Sequence, residues 1–69
     1  MRHATEFLVR ELIHFITAHY DVHGPGWRAD HYREKSLELW REKYGDTVAD
    51  RIEHGTAKLA GQPERIHKW

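Results

Sequence analysis

Between Thr5 and Tyr20 the apolar residues Leu8, Val9, Leu12, Ile13, Ile16 and Tyr20 recur every three or four positions, with Phe15 at the edge of the same face. That period is the signature of a helix with one side turned inward. It predicts a first helix over residues 5–21, with Thr5 placed to accept a hydrogen bond from an early backbone amide as its N-cap. His19 falls near the middle of the apolar stripe. A histidine in that position is ordinarily a core residue bonded to a carbonyl or a neighbouring side chain.

The stretch YDVHGPGW ends the pattern. Proline restricts the residue before it and glycine reaches backbone conformations closed to other residues, so Gly24, Pro25 and Gly26 read as a corner. A second helix is expected over residues 27–45, its inward stripe made by Ala29, Leu37, Trp40 and Tyr44, with Tyr32 and Leu39 broadening one side. Gly45 suits a C-cap, and Asp46 or Thr47 can cap the next helix. The third helix is expected over residues 46–60, with Val48, Ile52, Thr56 and Leu59 on one side and Ala49 and Gly55 beside them. Glycine inside a helix costs about 1 kcal/mol relative to alanine. Its presence at position 55 therefore points to another element packing closely there, with the helical phase continuing to Leu59. Residues 61–69 read as a short fourth helix or a flexible tail, in which Pro63 suits a first helical position and Ile66 and Trp69 lie three apart.

The fold expected is a single all-α domain of three helices, either closed on itself or exchanged across a dimer. Length changes this picture most. A 69-residue chain exposes so much surface that its own core is thin, which favours oligomerisation. Leu8, Leu12, Ile13, Ile16, Leu37, Trp40, Tyr44, Ile52 and Leu59 are the expected packing residues.

Charge and composition remove several classes of function. There is no cysteine, so disulfides, thiolate ligands and cysteine nucleophiles are excluded. Eleven basic residues balance eleven acidic ones, giving no global attraction for nucleic acid or an anionic membrane. The apolar segment from Phe7 is broken by Arg10, Glu11 and His14, far short of a spanning helix, and the start MRHATEF lacks the pattern of a secretory signal. Cytoplasmic residence is the default expectation.

The candidate chemistry is sparse. Seven histidines invite a metal reading, with His19, Asp21, His23 and His31 as the conceivable ligands, but GPG interrupts the helix that would align them and no HExxH is present. His23 near Asp21, or His54 near Asp50 and Glu53, offers an imidazole beside a carboxylate, without a pocket implied by the sequence. GPGWR lacks the spacing of a phosphate-binding loop. YGDT between helices two and three is compatible with a helix-turn-helix, and Arg28, Arg33, Lys35, Arg41 and Lys43 are basic, yet Glu34, Glu38 and Glu42 form an opposing acidic line.

These observations converge on a noncatalytic protein-interaction or regulatory module, acting through self-association or a protein partner and requiring no cofactor, catalytic group or metal. Trp27, Tyr32, Arg33, Trp40, Arg41 and Trp69 are the interface candidates: aromatic area anchors binding, and the two arginines orient it through acidic groups. A small helix-turn-helix-like nucleic-acid-binding regulator is the alternative reading, and a histidine-dependent metal-binding protein the second.

Overall fold

The computed structural model describes residues 2–61, with side chains from Thr5 onward. It is a three-helix all-α domain: α1 spans Arg2–His23, α2 spans Trp27–Tyr44, α3 spans Asp46–Gly55, and a short 3-10 turn follows over Ala57–Leu59. The expected elements at residues 62–69, including Pro63, Ile66 and Trp69, lie outside the described residues.

The chain folds back at GPG, so that the end of α1 meets the start of α2 through His19 against Tyr32 and Tyr20 against Asp30. Gly24 closes α1 with φ at +79° while its N–H donates to the Tyr20 carbonyl at 2.7 Å. The link between α2 and α3 is a single residue, Gly45, at φ +99° with its N–H on the Arg41 carbonyl at 2.9 Å. A side chain is disfavoured at that backbone angle. Arg33 reaches the end of α3 and Arg41 its start, so α3 runs antiparallel to α2. Glu6 pairs with Arg51 and Ile13 packs against Gly55, which sets α3 parallel to α1. The order is up, down, up.

Val9, Leu12, Ile16, Tyr20, Ala29, Leu37, Val48 and Ile52 form the buried core, and Leu8, Ile13, Tyr32, Trp40, Tyr44 and Leu59 pack half-buried around it. All nine expected packing residues belong to this set. Two apolar residues do not follow the pattern. Phe15 is 57% exposed and so is Leu39, because α1 and α2 turn these positions away from their neighbours.

Several local expectations are revised by the backbone. α1 begins at Arg2, three residues before the proposed Thr5 cap, which therefore lies inside the helix. α3 has Gly45 as its N-cap residue and no side-chain cap, leaving Asp46 free for Arg41. Gly55 does permit a close approach: a Cβ there would lie 2.5 Å from Cδ1 of Ile13. The helical phase, however, does not run on to Leu59. Thr56 turns its N–H onto the Ile52 and Glu53 carbonyls and its buried hydroxyl onto Ile52 O at 2.8 Å, ending α3 before the 3-10 turn begins.

Candidate interaction surface

Three parts of the surface carry chemistry beyond simple packing. The first is the corner where α1 meets α2. His19 stacks on Tyr32 with ring centroids 3.7 Å apart and planes 9° from parallel, and His23, one turn further along α1, lies 4.3 Å from His19. Burial and the nearby His23 hold the His19 imidazole below its ordinary value of 6.5. Tyr20, buried beneath this ladder, donates its hydroxyl to Asp30, and that carboxylate also accepts from the Gly61 N–H at 3.3 Å. Burial and the hydrogen bond to Asp30 push the Tyr20 phenol well above its ordinary range. Asp30 thus ties together α1, α2 and the segment after the 3-10 turn.

Only two of the suggested metal ligands approach each other here. His31 sits instead edge-on to Trp27 at 6.4 Å, and among the described residues no group of three or more histidine, aspartate or glutamate side chains is arranged to hold a metal.

The second part is the α2/α3 seam, where two interface candidates are engaged within the chain. Arg33 donates from Nε to the Thr56 hydroxyl and from Nη2 to the Glu53 carbonyl, each at 2.8 Å. A guanidinium at the C-terminal end of α3 satisfies carbonyls that the helix leaves open and complements the negative end of its dipole. Arg41 gathers three carboxylates of α3, Asp46 at 3.1 Å, Asp50 at 2.9 Å and Glu53 at 3.3 Å. Its hydrogen bonds to Asp46 and Asp50 raise its affinity for its proton further. These acidic residues of α3 therefore have a structural use. Their spacings of four and three place them along one helical face toward α2.

Between α1 and α3 runs an open groove of about 340 Å³, floored by Val9, Ile13 and Gly55 and edged by Asp50, Arg51 and His54. Asp50 and His54 share this groove, but the Asp50 carboxylate is bonded to Arg41 and Arg51 is bonded to Glu6 at 2.8 Å. His54 has no hydrogen bond to either acidic neighbour.

The third part is the outward side of α1, which the hydrophobic period obscured. Phe7 is 65% exposed, Phe15 57% and Val22 77%. At ~100° per residue these three, with Glu11 and Ala18, fall within about 80° of one another on the helical wheel. The buried stripe of Val9, Leu12, Ile16 and Tyr20 occupies the opposite side. The helix therefore has two apolar faces and uses one of them within the chain. A signal for the second was present, because Phe7, Phe15 and Val22 also follow helical spacing, but a single period cannot show which of two apolar faces finds a partner.

Of the remaining interface candidates, Trp27 is 66% exposed, with the Arg28 guanidinium 5.8 Å from its ring centre. Tyr32 and Trp40 are half-buried against the core, Tyr32 beneath His19. The guanidinium groups of Arg33 and Arg41 already have partners on α3. Among the described residues no helix is long and apolar enough to cross a membrane. No protein-family model, curated protein or solved structure matches the chain, so geometry alone carries the functional reading.

Proposed function

We propose that this domain is a noncatalytic interaction module that works by docking a protein helix on the outward face of α1. The observation that carries this reading is the pairing of an already formed core on one side of α1 with exposed Phe7, Phe15 and Val22 on the other. An apolar stripe about 22 Å long, at ~1.5 Å per residue, matches the length over which an amphipathic helix makes its spaced anchor contacts. Scattered exposed apolar residues are normal, whereas apolar residues aligned on one helical face form a surface that gains by losing contact with water. Trp27 supplies further aromatic area at the corner of the molecule.

A photoreactive phenylalanine analogue at position 15 tests the reading, with the same analogue at Lys35 on α2 as control. Position 15 should give a discrete adduct in cells whose cross-linked residues map to one helical segment, and position 35 should give none. Equal diffuse labelling at both positions would overturn the docking face.

A further inference from the structure

We propose that the occupant of this face is a second copy of the same chain, its α1 running antiparallel across a two-fold axis at Phe15; this rests on the docking role of the outward face. The spacing of the exposed residues is self-complementary under that operation. With Phe15 against Phe15 of the second copy, Val22 falls opposite Phe7 and Leu8, and the relation is repeated on the other side of the axis. A two-fold contact requires one patch to match itself in this way.

Charge supplies an independent indication of the same pairing. Arg10 and Asp21 are both exposed and lie on the same flank of the stripe. They are about 16 Å apart along the helix at ~1.5 Å per residue, too far to pair with each other. Neither makes an ion pair with another described residue. Antiparallel two-fold pairing brings like flanks together and carries Arg10 to within about one residue of Asp21 of the second copy, twice over. Parallel pairing instead sets this charged flank against the apolar flank of Leu8 and Phe15. The charges thus select direction, while the apolar residues supply contact.

Glu11 lies within the stripe and opposes association, because its carboxylate loses water there. The resulting dimer is reversible and concentration-dependent. Replacing Glu11 with leucine should tighten it.

Sedimentation equilibrium of the full chain over micromolar to millimolar concentrations tests the proposal, with circular dichroism confirming that every variant remains helical. The wild-type mass should rise from 8.3 kDa toward twice that value. Phe15→Glu should weaken association by at least about tenfold, the equivalent of 1.4 kcal/mol. Arg10→Asp and Asp21→Arg should each weaken it, and the combined swap should restore it. If Phe15→Glu does not fold, Phe7→Ser supplies the same test at the edge of the stripe.

The absence of cysteine permits a direct test of direction. Under mild oxidation Phe15→Cys should cross-link to itself, while Phe7→Cys should cross-link efficiently only when mixed with Val22→Cys. A mass that stays monomeric throughout, a dimer indifferent to Phe15→Glu, or preferential self-linking of Phe7→Cys would each overturn the antiparallel pair. A monomer that still gives a mapped adduct to a different protein from position 15 would leave the docking reading standing. A monomer without that adduct would remove both.

Discussion

The two faces of α1 are built from similar residues and have opposite fates. Val9, Leu12, Ile16 and Tyr20 are buried beneath α2 and α3, while Phe7, Phe15 and Val22 face outward. Hydrophobicity alone therefore does not make a core; the core forms where α2 and α3 can both reach α1. The sharpest way to break this comparison is to truncate one residue from each face. Ile16→Ala, at a position with no exposed surface, should cost about 2–5 kcal/mol by losing transfer energy and leaving a cavity. A domain this small holds only about 3–5 kcal/mol in its core, so that variant should be largely unfolded at 25 °C. Ile16→Val, at about 0.5–1.5 kcal/mol, keeps the measurement within the range of urea titration. Equal loss from Val22→Ala on the outer face would erase the distinction between the faces.

A second contrast separates charges that hold helices together from charges that only decorate them. Arg33 closes the end of α3 through Thr56 and Glu53, whereas Lys35 meets Glu38 at 3.9 Å on a solvent-exposed side of α2. Arg33→Met should cost about 1–2 kcal/mol, since it leaves hydrogen-bonding groups at the α2/α3 seam without their partner. Lys35→Met should change stability by no more than about 0.5 kcal/mol, as expected for an exposed pair. Urea denaturation of the two variants side by side reads the difference. Equal effects would remove the capping role assigned to Arg33.

The fold was legible because its strongest constraints are local. The three-and-four spacing marked the inner face of α1, Gly24 to Gly26 marked the corner, and Gly45 marked the next turn. Gly55 was legible as a close approach because glycine in a helix requires some compensation, and Ile13 provides it. The end of α3 was not, since it depends on Thr56 and on an arginine twenty-three residues earlier. The candidate surface was harder to read for a related reason. Trp27, Tyr32 and Trp40 stand out in the sequence by type, and Arg33 and Arg41 by charge, but residue type does not reveal what a side chain already touches. Phe15 was placed at the edge of the inner face, and only the packing of α2 and α3 shows that it lies beyond it.

The stacked imidazole between the two faces supplies a smaller, pH-dependent effect. His19 is held below its ordinary value of 6.5 by burial and then by His23, so the unfolded chain binds its proton more readily than the folded one. Stability is therefore fully present above 6.5 and declines as pH falls through that value toward the lower folded one. His19→Gln should flatten the decline in urea midpoints between pH 7 and 5. An identical slope in the His19 variant would show that this ring does not couple to folding.

The smallest expected effect is the most informative about the outer face. Phe15→Ala removes an aromatic side chain that is already mostly in water and replaces it with a better helix former. At concentrations where the chain is monomeric, its stability should remain within about 0.5 kcal/mol of wild type. At higher concentrations the comparison should change. Association of the folded form alone raises apparent stability by mass action, so the wild-type melting temperature should climb with concentration while that of Phe15→Ala should climb less. Thermal denaturation across a hundredfold concentration range therefore separates a residue that builds the fold from one that builds an assembly. A large loss at low concentration would return Phe15 to the core, and parallel concentration dependence would assign the association to another surface.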